Sequence, residues 1–230
     1  MTGRPPAFLF DLDGVLVDTA PLHFAAWRAV VRRHLGIRLP QALEHDLRGL
    51  SRADSLRRIL AHGGIRLSAD RFAAILEDKN ALYRRMIADL DPNALLPGAD
   101  RLLTDLAAAG HPLALVSASR NAPAILARLG IAERFAFRVD PARIARGKPA
   151  PDIFLAAAAG MDVPPRDCIG FEDAPAGIAG IKAAGMIAVA VGSQAAAGAD
   201  LAVPDLAACD PATVVALWRR RRSADDPATG

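Results

Sequence analysis

The sequence predicts an α/β fold: a doubly wound parallel sheet with a bundle of helices inserted after its first strand. Three observations predict it. Short apolar runs of strand length end in polar or acidic residues. Helical stretches that stop at glycine separate these runs. One long segment, Thr19 to Leu90, carries helical patterns and no strand signal. Alternation of strand and helix calls for a parallel sheet with helices on both faces.

Ala7 to Phe10 reads as a buried strand ending at Asp11. Pro112–Val116, Cys168–Phe171 and Met186–Val191 read the same way, with Phe137–Val139 and Leu201–Val203 as weaker strands. Helices are expected from Pro97-Gly98 to Gly110, from Asn121 to Leu129, from Pro151 to near Gly160, and from Ala174 to Ala184. The inserted segment reads as four helices: Pro21–Leu35, Gln41–Leu47, Arg52–His62 and Ala69–Leu90. Ser51 and Ser68 are suitable N-caps. This divides the chain into a core, residues 1–18 and 92–230, and a helical cap, residues 19–91. The two connections, Val15 to Thr19 and Asp91 to Pro97, are a natural hinge.

Composition limits the function classes. The chain has 230 residues, 52% hydrophobic and 23% charged, which suits a folded globular protein. No apolar run approaches the ~20 residues of a membrane span, and the short run before Asp11 is too brief for a signal peptide. Two cysteines, Cys168 and Cys209, make no disulfide framework. A cytoplasmic monomer is the expectation. Net charge is only +3, and cations are nearly all arginine; Lys79, Lys148 and Lys182 are the lysines. The run Arg219 to Arg222 reads as a solvated helix end rather than a nucleic-acid contact.

Chemistry gathers at the strand ends. Asp11 and Asp13 follow the first strand, one residue apart. A turn after the strand, which Gly14 permits, brings both above the strand's carboxyl end. Open α/β sheets bind ligands there. Ser117 and Ser119 follow the second strand, Lys148-Pro149 lies in a later loop, and Glu172-Asp173 end another strand. In a parallel sheet all fall on one edge. Four carboxylates carry a formal −4 against +1 from Lys148. A hard divalent ion such as Mg²⁺ relieves that crowding and leaves room for phosphate, so the set suits phosphoryl transfer to an aspartate.

Asp11-Leu-Asp13-Gly-Val, Ser117, Lys148-Pro149 and Glu172-Asp173 resemble the four motifs of the haloacid dehalogenase superfamily, subclass I, with its Rossmann-like core and helical cap. Asp18-Thr19, His23, Trp27, the run Gly49-Leu-Ser-Arg52, Lys79-Asn80, Ser117 to Asn121 and Lys148 to Phe154 are similar to its sugar-phosphate mutases. The resemblance extends from residue 8 to about 190. It implies Asp11 as nucleophile and Asp13 as general acid and base. It implies Mg²⁺ on Asp11, the Asp13 backbone carbonyl and Asp173, with Glu172 in or near that shell. Ser117 and Lys148 would hold the transferring phosphoryl, with the amides following Asp11 and Ala118. His23 would orient Asp13, and Thr19 would act at the hinge. Gly49, Leu50, Ser51 and Arg52 from the cap would grip the distal phosphate or sugar, and Ser119, Arg120 and Asn121 would do so from the core. Lys79 would link cap to site. Like-charge repulsion from Asp11 is expected to raise the Asp13 pKa.

The implied reaction interconverts beta-glucose 1-phosphate and glucose 6-phosphate through beta-glucose 1,6-bisphosphate. A sugar-phosphate or phosphoglycolate phosphatase would share the core motifs; His23, Arg52 and Lys79 together favour the mutase. A phosphonate-cleaving enzyme would need a Schiff-base lysine in the cap. A catalytically dead binding module conflicts with intact Asp11, Asp13, Lys148 and Asp173.

Overall fold

A computed structural model describes residues 4–193 and 195–225. Six strands form one sheet, every neighbouring pair parallel: β1 (Ala7–Phe10), β2 (Leu113–Leu115), β3 (Phe137–Arg138), β4 (Cys168–Glu172), β5 (Ile187–Val191) and β6 (Leu201–Val203). Their spatial order is β3-β2-β1-β4-β5-β6. Connections run outward on opposite sides of β1 and β4, so a crevice opens beyond the carboxyl ends of those two strands.

The pleat of β1 feeds two cores. Phe8 and Phe10 pack on one face with α5 (Ala99–Ala108), α6 (Ala122–Arg128) and α9 (Pro211–Asp225). Ala7 and Leu9 pack on the other with α7 (Asp152–Gly160) and α8 (Pro175–Ala183). Successive residues of a strand face opposite ways, so four apolar residues in a row serve both layers. The helical insertion comprises α1 (Ala20–Leu35), α2 (Leu43–Leu47), α3 (Arg52–His62) and α4 (Ala69–Met86). It has its own core, centred on Trp27, Val30, Val31, Leu56, Ile59 and Ile75. Ser51 and Ser68 cap α3 and α4 by accepting from the amides of Asp54 and Arg71.

The two connections to the insertion are bound together. Leu96 donates its amide to Leu16 O at 2.9 Å, and Val17 bridges Leu95. Leu12, Val15, Leu16 and Val17 are buried in the sheet core. The connection is therefore a packed strap, not a loose tether.

Several boundaries differ from expectation. Helix α4 stops at Met86, short of Leu90, because Ile87 turns into the sheet core. Helix α2 begins at Leu43 after a turn at Gln41 and Ala42. Helix α9 runs past Arg222, so the arginine run is not its terminus. Asp210 starts that helix, accepting from the Ala212 amide at 3.0 Å and the Thr213 hydroxyl at 2.9 Å. Arg222 reaches Asp167 at 3.5 Å and Arg221 donates to Gly185 O at 2.9 Å, so half of the run is engaged within the protein. Among the described residues, no helix is long and apolar enough to cross a membrane. Residues 226–230, the end of the expected core, lie outside the described residues.

Candidate active site

Asp11 leaves β1 and donates its amide to Phe171 O of β4 at 3.0 Å, which pins the turn to the switch point of the sheet. Gly14 then takes φ +84° and donates its amide to Val17 O. Asp11 and Asp13 consequently face one cavity, as the turn after the strand requires. Gly14 has a second reason to lack a side chain: a Cβ there would lie 2.2 Å from Asp173 Oδ2.

Three buried carboxylates meet at this crevice. Asp11, Glu172 and Asp173 each offer an oxygen within 4.8 Å of the others. Lys148, on a loop before α7 whose Lys148–Pro149 peptide is cis, places Nζ 2.6 Å from Asp11 Oδ1 and bonds Glu172 Oε1. The other oxygen of Glu172 accepts the amides of Asp173 and Ala174, both at 3.1 Å. Gly177 on α8 makes this seat possible, because a Cβ there would strike the Glu172 carboxyl carbon at 1.9 Å. The donor set is all oxygen, anionic and close, and fits a hard divalent cation of the Mg²⁺ type.

Electrostatics agree with that fit. Burial raises Asp11 well above the usual carboxylate range; Lys148 opposes the rise, and Glu172, Asp13 and Asp173 add to it. Burial, with Glu172 beside it, pushes Asp173 up to about 7. Burial alone would lower Lys148, but Asp11 and Glu172 hold it above an ordinary lysine. Such a site binds protons tightly unless another cation takes their place.

Asp13 is held differently. Thr19 donates its hydroxyl to Asp13 Oδ1. His23 Nε2 lies 3.8 Å from the same oxygen, too far for a hydrogen bond. Lys79 Nζ lies 2.6 Å from His23 Nδ1. Burial, then Lys79 and Arg52, keep His23 well below its ordinary pKa, so the ring is neutral. If Lys79 donates to Nδ1, the ring proton sits on Nε2, facing Asp13. Burial lowers Lys79 to about 7, with Asp13 opposing. Asp13 itself rises to about 6. Burial is the leading cause there, and Lys79 and Lys148 work against it. The expected direction holds, but the expected cause, repulsion from Asp11, is replaced by desolvation.

A cavity of about 520 Å³ joins these groups to the insertion. Gly49, Leu50, Ser51, Arg52, Lys79, Ala118, Ser119, Arg120 and Asn121 all line it, with Asp11, Asp13, His23, Lys148 and Asp173. Ser117, Thr19 and Glu172 lie just behind, fully buried. Ser117 Oγ accepts the Ser119 amide at 3.1 Å, which folds the loop after β2 toward Lys148. Arg52 is depressed by burial and by the facing charge of Arg120. Two guanidiniums held close across a cleft suit an anion between them. Asn121 donates to Asn80 Oδ1 at 2.9 Å, tying the core loop to α4.

Sequence reasoning missed two residues here. Tyr83 stacks on His23 at 3.9 Å between centroids and lies 4.4 Å from Lys79 Nζ, so the buried ammonium rests on an aromatic face. Arg48 reaches from the insertion to Asp173 Oδ2 at 3.2 Å. Tyr83 stands four residues after Lys79, one helical turn away, and that spacing was a usable signal. Nothing local in the sequence says that Arg48 faces Asp173.

Fold and site together define an α/β enzyme with clustered carboxylates and a lysine at the switch point of its sheet, an oxygen donor set that fits a hard cation, beneath an inserted helical bundle. Residues 5–185 match the family of haloacid dehalogenase-like hydrolases. The chain is 47% identical to the beta-phosphoglucomutase of Bacillus subtilis (strain 168) over 86% of its own length and 88% of that protein. It is 37% identical to hexitol phosphatase A of Escherichia coli (strain K12), covering 84% of this chain and 85% of that one. A crystal structure of beta-phosphoglucomutase from Clostridium difficile superposes with a TM-score of 0.91 at 37% identity, covering 94% of this chain and 98% of that one. The chain belongs to the haloacid dehalogenase-like hydrolase family.

Proposed function

We propose that this enzyme interconverts beta-glucose 1-phosphate and glucose 6-phosphate, with residues 19–91 as a cap over a core of residues 1–18 and 92–230. The observation that carries the reading is the environment of Asp13. Its partners, Thr19, His23 and Lys79, begin or belong to the helical cap, so a proton-transfer group is assembled by the domain that covers the sugar. An acyl phosphate that must prefer sugar to water needs such an arrangement. The 47% identity to a beta-phosphoglucomutase over most of both chains supports it.

Asp11, Glu172, Asp173 and the Asp13 carbonyl would hold Mg²⁺. That ion would supply charge neutralisation at the phosphoryl oxygens. Lys148 and Ser117 bind the same group from the protein side. With Asp11 phosphorylated, the C6 hydroxyl of beta-glucose 1-phosphate attacks phosphorus. Asp13 takes the hydroxyl proton, and Asp11 leaves as carboxylate. The 1,6-bisphosphate turns over in the cavity. Asp11 then attacks the C1 phosphoryl, and Asp13 returns its proton to the departing C1 oxygen. Glucose 6-phosphate and phospho-Asp11 result. A pKa near 6 suits a group that must both accept and give a proton near neutrality. Arg52, Arg120, Ser119 and Asn121 hold the phosphate not being transferred, and Gly49, Leu50, Ser51 and Lys79 face the sugar.

The deciding experiment offers beta-glucose 1-phosphate with Mg²⁺ and a trace of the bisphosphate, and measures glucose 6-phosphate against inorganic phosphate. Glucose 6-phosphate is expected to dominate. Dominant phosphate release would make the enzyme a phosphatase instead, as the Escherichia coli relative named hexitol phosphatase A is.

A further inference from the structure

Arg48 ends α2 and precedes the loop that faces the sugar. Its Nη1 lies 3.2 Å from Asp173 Oδ2, and its Nη2 lies 3.7 Å from Glu44 Oε1. Among the described residues, it is the only side chain of the insertion hydrogen-bonded to one of the three clustered carboxylates. Asp11 and Glu172 share Lys148, a core residue, as their bonded cation. Among the described residues, the cation bonded to Asp173 comes from the cap instead. The oxygen that Arg48 holds is the one that would collide with a Cβ on Gly14, so it is confined between the Gly14 backbone and the guanidinium. Arg48 also lines both the main cavity and a second one, of about 280 Å³, beside Gly14 and Ser193, and among the described residues its buried Nε has no hydrogen-bond partner.

We propose that Arg48 is a tethered cation that competes with the divalent ion for Asp173, and so makes metal affinity and cap closure oppose each other until an anionic substrate is present. Arg48 can sit on Asp173 only when the cap is down. A divalent ion and a guanidinium drawing on one carboxylate repel each other and divide its negative charge. Closing the cap over a metal-loaded site without sugar therefore weakens the metal. By linkage, the metal loosens the cap to the same degree. A sugar phosphate adds negative charge to the cavity and relieves the repulsion, so closure on the loaded site follows substrate. Phospho-Asp11 is then enclosed when a sugar is there to receive the phosphoryl. The inference requires only that the carboxylate cluster binds a divalent ion, not that the substrate is a glucose phosphate.

The test uses the full chain without any sugar. MgCl2 is titrated calorimetrically into the wild type, Arg48→Met and Arg48→Lys, and small-angle scattering follows the radius of gyration in the same titration. Arg48→Met is expected to bind Mg²⁺ about tenfold more tightly than wild type. Arg48→Lys, which keeps the charge, should stay closer to wild type. The wild type should expand as Mg²⁺ is added, and Arg48→Met should not. Equal or weaker Mg²⁺ binding by Arg48→Met, or no change in wild-type dimensions with Mg²⁺, would overturn the proposal. The wild-type scattering needs no variant to fold. Because no arm contains a sugar, failure here is distinct from failure of the proposed reaction.

Discussion

Replacing Lys148 with Met removes the one ammonium that two buried carboxylates share. The Lys148 side chain is 1% exposed, and those of Asp11 and Glu172 are 6% and 0% exposed. Breaking a buried pair by deleting one partner costs about 3–5 kcal/mol. Two features draw this case to the lower end. Glu172 keeps two backbone amides on its second oxygen, and Asp11, already raised by burial, can take a proton in place of its lost partner. A loss of about 3 kcal/mol, at roughly 2–4 °C per kcal/mol for a chain of this size, lowers Tm by about 6–12 °C. The assay is thermal unfolding of wild type and variant in EDTA at pH 8 and pH 5. The deficit should shrink at pH 5, where Asp11, already raised by burial, takes a proton more readily, and Mg²⁺ should restore part of it at pH 8. A variant within about 0.5 kcal/mol of wild type in EDTA at pH 8 would refute the claim that these charges depend on one another.

Other substitutions probe the remaining parts. Asp13→Asn should cut sugar-phosphate turnover by about 10²–10⁴ while Asp11 still accepts phosphate from a donor with a good leaving group; loss of both would remove Asp13 from its proton-transfer role. Lys79 titrates near 7 in the fold and near 10.5 unfolded, so the unfolded chain binds more protons between those values and wild-type stability rises with pH across that window. Urea unfolding of Lys79→Met should therefore show its greatest gain relative to wild type below pH 7, fading toward pH 10; a gap that widens with pH contradicts the burial argument. Gly14→Ala combines a left-handed φ of +84° with a Cβ 2.2 Å from Asp173 Oδ2, and should cost at least 1–2 kcal/mol (an approximate figure for the backbone alone) and weaken Mg²⁺ binding, read by calorimetry.

Legibility of the sequence followed the range of the interactions. The strand ends were readable because Asp11, Ser117 and Asp173 each sit within a few residues of an apolar run, following Phe10, Val116 and Phe171. A parallel sheet then delivers them to one edge without further information. Helix N-termini marked by Ser51 and Ser68 were likewise local. Long-range facts were not readable. Arg48 and Asp173 are far apart in the chain, and only the docking of the insertion joins them. The rise of Asp13 could be foreseen, but its cause is enclosure by elements remote in sequence, which no pair of neighbouring acids reveals. Helix α4 ends early because Ile87 finds the sheet core, a tertiary contact that overrides a helical pattern continuing to Leu90.

Everything in the proposed mechanism passes through a phosphoryl group on Asp11. The most direct measurement is acid quenching of the enzyme after brief exposure to radiolabelled beta-glucose 1,6-bisphosphate and Mg²⁺, followed by peptide mapping of the label. An acid-stable, hydroxylamine-sensitive label on the peptide containing Asp11, absent from Asp11→Asn, is the predicted result. Label on a serine or histidine peptide, or full turnover by Asp11→Asn, would contradict the account.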